Sequence, residues 1–292
     1  MVRKYHADLI NFTGEDLTMA VINTNVAATL TTNALTTNER ALNKAMQRLS
    51  TGLRVNSAAD DAAGLAIATT MTSQIRGLDM ASKNASDAIS MIQTADGASI
   101  EIGNMLQRMR ELAVQAINGT QTSTNISFLD KEFQQLLTEI DRVADQTQWN
   151  GENLIDGSVG TTGTVTFQVG AKASQTMTVA FGDLNAAGDL GVSGNITDAT
   201  NAATALGVID TATTALNTQR AIYGAAMNRL EYTIDNLNNI SMNTQASRSR
   251  IQDANYAVET TKLSTAQIIS QASTAMLAQA NQQAQSVLAL LK

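Results

Sequence analysis

The sequence predicts a mainly α fold: a long antiparallel, coiled-coil-like helix bundle carrying a small β-hairpin region. Three observations point that way. On both sides of the chain's middle, apolar residues recur at intervals of three and four, the period of one helix face. Nine of the 18 glycines fall between Gly151 and Gly194, so two glycine-poor arms flank a glycine-rich centre. Within that centre the alternation switches to period two, the mark of a half-buried strand. The 292 residues suffice for one or two domains with a sizeable core.

The first helical segment carries Leu35, Leu42, Met46 and Leu49, at steps of 7, 4 and 3. A long helix is predicted from about Ala59 to Ile117. Its seam is Met71, Ile75, Leu78, Ala85, Ile89 and Ile92, continued by Leu106, Met109 and Ala113. Ser57 or Asp60 is expected to cap it, and the Asp60-Asp61 pair suits a helix N-terminus. Asn118-Gly119 should stop it. A shorter helix from about Ser127 to Gln148 presents Phe128, Leu136, Ile140 and Val143. Trp149 closes it, and Asn150-Gly151 turns the chain.

In the region 152–196, Val165, Phe167 and Val169 alternate with Thr164, Thr166 and Gln168. Met177, Val179 and Phe181 alternate with Thr176, Thr178 and Ala180. With Gly170 between them, these runs predict a hairpin with a longish turn. Beyond it Tyr223, Met227, Leu230, Ile234 and Leu237 step by 4, 3, 4 and 3. This helix should start near Thr197 or Asp198 and run antiparallel to the first long one. A weaker last helix, from about Asp253, carries Ile269, Leu277, Ala280, Ala284, Val287 and Leu291. Both terminal segments are amphipathic with thin apolar faces, rich in Thr, Asn, Gln and Ala. Such helices need a partner to bury against.

Composition excludes several functions. Cysteine is absent and His6 is the sole histidine. No disulfide, Cys/His zinc site or histidine-based nucleophile pair is expected. No cofactor is implied. The net charge of −7 disfavours nucleic-acid binding. No apolar run approaches the ~18 residues of a membrane span. The first residues lack the apolar stretch of a secretory signal, so the chain is expected inside the cell or exported without signal cleavage.

Five motifs stand out: the start MAVINTN at 19–25, RLSTGLRVNSAADDAAGL at 48–65, LQRMRELAVQ at 106–115, QTQWNG at 146–151 and RSRIQDANYAV at 248–258, with LAQAN at 277–281. Together they resemble bacterial flagellin. The match covers about 19–150 and 200–292, in the right order. The resemblance implies an inner layer, D0, from residues 19–56 with 250–292. It implies a helical D1 domain from 57–249 that includes the hairpin region 152–196, with no outer domains. It also implies that residues 1–18 are an extension outside the functional subunit, since family members mostly begin at the equivalent of Met19. Many members carry proline where this chain reads Asn281-Gln282-Gln283-Ala284, so its last helix should be less kinked.

The function implied is that of a structural subunit, not an enzyme, polymerising into the extracellular filament that drives swimming. Its chief partner would be itself. Unfolded export through the flagellar type III channel, an export chaperone, a filament cap and hook-junction proteins follow from the same resemblance. The alternatives are a hook–filament junction protein and a cell-surface homologue that captures a ligand. Arg108, Leu112, Gln115 and Glu132 match positions contacted by the Toll-like flagellin receptor of animals, on a face expected chiefly to pack against a neighbouring subunit. Asp60 and Asp61 are expected to be structural rather than a metal or acid–base pair. Arg248 and Arg250 are candidates to pair with them or with acids on adjacent subunits. The terminal segments are expected to be disordered in the free subunit and helical in the filament.

Overall fold

The computed structural model describes residues 24–290. They form α1 (Val26–Thr51), α2 (Ala62–Ile117), α3 (Ser123–Gln146), β1 (Gln148–Trp149), β2 (Glu152–Asn153), β3 (Thr164–Gln168), β4 (Thr176–Ala180), α4 (Ala199–Gln252) and α5 (Tyr256–Leu290). Two compact units result. A terminal unit comprises the described residues up to Leu65 and from Ile251 on; a central unit comprises Ala66–Arg250. Residues 1–18, read above as an extension, and Leu291 lie outside the described residues.

Polar caps set the helix starts. Asn25 Oδ1 accepts from Ala28 N at 3.0 Å to open α1, and Gly52, at φ +73°, closes it. Asp61 Oδ1 accepts from Gly64 N at 2.8 Å. Asp61 is therefore the cap of α2, not Ser57 or Asp60, and the helix begins three residues later than Ala59. A side chain at position 64 would collide with that capping carboxylate. Thr122 caps α3, Asp198 caps α4 (2.8 Å to Asn201 N), and Asn255 caps α5 (3.0 Å to Ala257 N).

In the central unit, α2 and α4 are antiparallel, as the seams imply. Side chains join Thr72 to Arg248, Asp79 to Ser241, Asp96 to Arg220 and Arg110 to Asp210. Between them lie Ile92, Ile102, Leu106, Met109, Ile209, Leu216, Tyr223 and Leu230, all fully or nearly fully buried. The third helix corrects one expectation. It starts at Ser123, four residues early, and Phe128 is 62% exposed with the Lys131 ammonium 5.7 Å from its ring centre. The core position goes to Phe133, beside Ile140 and Ala144.

Asn150 and Gly151, both at positive φ, make the two-residue turn between β1 and β2, and Trp149 is half-buried against the core. The predicted hairpin is β3–β4, with Phe167 opposite Met177 and Val165 opposite Val179. Met177, Val179 and Phe181 face the core. Two α4 side chains hold the strand that leaves it: Gln219 donates to Ala180 O at 2.7 Å, and the Tyr223 hydroxyl donates to Phe181 O. Burial pushes the Tyr223 hydroxyl well above its usual pKa, so it remains a donor. The loop that follows is clamped by α3, because Asp141 accepts from Ala186 N and Asp130 from Ile196 N, each at 2.8 Å.

Replacing Tyr223 by Phe should therefore leave the Phe181 carbonyl without this donor while keeping the ring packing. A loss of about 1–2 kcal/mol is expected, measured as a lower denaturation midpoint at unchanged slope.

Candidate functional site: the paired terminal helices

The first and last helices pair antiparallel along a strict heptad stripe. On α1 the inward positions are Ala28, Thr31, Leu35, Asn38, Leu42, Ala45 and Leu49. On α5 they are Glu259, Leu263, Ala266, Ser270, Ser273, Leu277 and Ala280. Steps of three and four keep one face of each helix on its partner. Two asparagines cross the seam to backbone carbonyls, Asn25 Nδ2 to Ala280 O at 3.1 Å and Asn38 Nδ2 to Ala266 O at 2.7 Å. Arg48 meets Glu259 at 3.1 Å, and Leu53 bridges to Asp253. All four contacts share one register, and a slip by one turn would separate Arg48 from Glu259.

The stripe corrects two residues expected on it. Met46 is 53% exposed and Ile269 is 44% exposed. Reading apolar residues alone misplaced both, because the seam uses small and polar ones. Val26, Leu30, Val258, Ile268 and Met276 also face away from the seam. The seam is thin, and the bulkier apolar side chains lie outside it.

Charge closes the end of the pair nearest the connecting segment. The Glu259 carboxylate is 5% exposed and accepts from Lys262 at 2.8 Å as well as from Arg48. The Lys262 ammonium, then Arg48, holds its pKa below the usual carboxylate value, with burial opposing them. Asp60 accepts from Lys44 at 2.7 Å and from Asn56 N and Ser57 N. The Lys44 bond first, and these amides after it, hold Asp60 well below the ordinary range against burial. Asp61 caps α2 and lies 3.9 Å from Arg54. Both carboxylates are thus engaged in cap, backbone and ion-pair contacts. Within the central unit, Arg248 donates to Thr72 at 3.3 Å.

The four residues matched to receptor contacts lie in the central unit. Arg108 binds Glu132 and Glu111, each at 2.9 Å, and Gln115 is exposed on the same side. Leu112 does not share that face. It is fully buried, because the apolar stripe of α2 here spans Leu106, Met109, Leu112, Ala113 and Ala116. No described helix is long and apolar enough to cross a membrane.

Two long helical regions separated by a short strand-bearing middle, with α1 and α5 paired, define a mainly α protein of the coiled-coil type. Residues 22–160 match the bacterial flagellin N-terminal helical region, and 206–291 match the C-terminal helical region. The chain is 50% identical to a flagellin of Halalkalibacterium halodurans over 85% of this chain and 91% of that one. It is 45% identical to a flagellin of Bacillus subtilis over 93% and 99%. It also resembles the crystal structure of Bacillus cereus flagellin, at 38% identity and a TM-score of 0.48 over 53% of this chain and 88% of that one. The chain belongs to the bacterial flagellin family.

The buried carboxylate sets a pH dependence. A glutamate whose folded pKa is depressed stabilises the pair fully above its unfolded pKa, about 4.3. That contribution is lost as pH falls through the lower folded value. Glu259→Gln should destabilise the α1–α5 pair by about 1–3 kcal/mol at neutral pH. It should also flatten the loss of stability between about pH 5 and 3, with Asp60 leaving a residual slope. Thermal melting of assembled filaments, in which α1 and α5 are paired, followed by circular dichroism across this range checks both.

Proposed function

We propose that the chain is the structural subunit of a flagellar filament, built outside the cell from many copies of itself for swimming. The observation that carries this reading, beside family membership, is the outward placement of Val26, Leu30, Met46, Val258, Ile268 and Met276 on the terminal helices. Apolar side chains of this size leave water only when another surface covers them. Copies of the same pair supply that surface in a helical polymer. The full chain, seeded with sheared filaments, should grow filaments visible by electron microscopy. Failure to extend seeds at any accessible concentration would sink the reading.

The terminal segments order on assembly. Fixing each residue costs ~1–2 kcal/mol of backbone entropy, and a seam of Ala, Ser, Thr and Asn offsets little of it. The same weakness suits export as an unfolded chain without a cleaved signal, guarded by a chaperone, with a cap protein at the growing tip and a junction protein at the base. No described feature favours the junction-protein or ligand-capture alternatives. Residues 1–18 stand outside the functional subunit. As a structural subunit the protein does no catalysis.

Recognition by the animal Toll-like flagellin receptor falls to Arg108, Gln115 and Glu132. The exposed Arg108–Glu132 pair supports this. Leu112 enters only as the core residue beneath them.

Residues 66–250 alone should be soluble, helical and monomeric, and should never extend seeds; growth from this fragment would refute a role for the ends. In the intact free subunit, amides of α1 and α5 should exchange quickly, and in filaments slowly. Arg108→Ala should raise the monomer concentration needed to activate receptor-bearing reporter cells roughly tenfold, and silence from the wild-type monomer would discard the receptor assignment.

A further inference from the structure

A groove of about 360 Å³ lies between α1 and α5, lined by Ala41, Lys44, Arg48, Lys262, Thr265 and Ile269 among others. Its walls hold three cations. Lys44 is paired with Asp60, but Arg48 and Lys262 share one carboxylate, that of Glu259. Arg48 Nε is buried without a hydrogen-bond partner. The groove therefore carries surplus positive charge, beside the apolar flank of Ile269.

Glu39 is the complement. It is exposed on α1, and its side chain makes no hydrogen bond or ion pair to any of the described residues. Residues advance about 100° each around a helix. Asn38, Ala41, Ala45 and Arg48 face the groove, which puts Glu39 on nearly the opposite side of α1. It cannot turn back into its own groove; only another copy can present it there.

We propose that the Glu39 carboxylate of one copy docks into the Lys44–Arg48–Lys262 groove of the next. This rests on the filament reading above and says which surfaces meet. The carboxylate balances the second cation on Glu259, pairing with the more exposed Lys262 or Lys44 ammonium. The docking surface and the docked residue lie on opposite faces of one helix. Such a contact is heterologous: each copy receives one partner and offers itself to another, so the contact propagates instead of closing into a dimer. Partial desolvation in the groove makes the charge match selective for register.

Wild-type filaments grown from a mixture of ordinary and 15N-labelled subunits test this with a zero-length carbodiimide. The reagent joins carboxylates to amines already in contact. Digestion and mass spectrometry should find Glu39 joined to Lys262 or Lys44 in peptides of mixed isotope. The link should be absent from free subunits. Glu39→Lys, an exposed change that should leave monomer helicity intact, should raise the critical concentration for filament growth roughly tenfold or more. If wild type extends no seeds, the filament reading itself has failed. Filaments that yield no mixed-isotope link, or that form from Glu39→Lys at the wild-type critical concentration, overturn this proposal alone.

Discussion

An antiparallel helix pair buries one stripe of each partner and leaves the remaining surface in water. In α1 and α5 the buried stripe is narrow and chemically modest. Only Leu35, Leu42, Leu49, Leu263 and Leu277 give it bulk; the rest is alanine, serine, threonine, Asn38 and the ion-paired Glu259. Burial contributes about 25 cal/mol per Å² of apolar surface, so small side chains on the seam mean small stabilisation. What the seam supplies instead is register. Asn38 and Asn25 each reach a backbone carbonyl across it, and the buried Glu259 meets Arg48 only in this alignment. The terminal unit is specified more strongly than it is stabilised.

The central unit is built on the opposite principle. Its core runs without interruption from Ala85 on α2 through α3 and the hairpin to Leu230 on α4. Aromatic bulk sits where the layers meet, with Phe181 and Tyr223 in tilted contact at 5.8 Å and Phe133 fully buried. Even the glycine-rich stretch is held, since Asp130 and Asp141 of α3 accept its amides. Those bonds let a segment with little regular structure close over the core without orphaned backbone donors. A unit with this much internal burial has no need of a neighbour to remain folded.

Much of this was legible in the sequence because periodicity reports burial directly where side chains are large. The α2 and α4 seams and the β3–β4 alternation were read from Ile, Leu, Met, Val and aromatics, and those residues do face inward. The reading broke down where chemistry and geometry part. Phe128 looks like a core residue by type, but a helix that opens at Thr122 turns it to solvent and gives its place to Phe133. Met46 and Ile269 fail for a related reason: on a seam of alanines and serines, the largest apolar residues need not be the ones that touch. The groove charges were not found at all, because Arg48, Glu259 and Lys262 meet only after residues more than 200 positions apart are brought together. A buried glutamate on the same helical stripe as Leu263 and Ala266 was the available signal.

The threonine content of these helices, which weighs against them by helix propensity, has a compensating consequence. On α1 the hydroxyls of Thr29, Thr31, Thr32, Thr36 and Thr37 each donate to the carbonyl four residues earlier. On α5 Thr260, Thr261 and Thr265 do the same. Each hydroxyl proton is thereby satisfied inside its own helix; Thr31 lies on the seam and the other threonines are exposed, each with a methyl group beside its satisfied hydroxyl. A surface covering such a helix meets small apolar contacts and leaves no donor stranded. In water, before covering, the same side chain is polar enough to keep the segment soluble. Threonine at these positions thus reconciles two demands that leucine would set against each other: an isolated helix that does not aggregate, and a covered helix that buries no unsatisfied group.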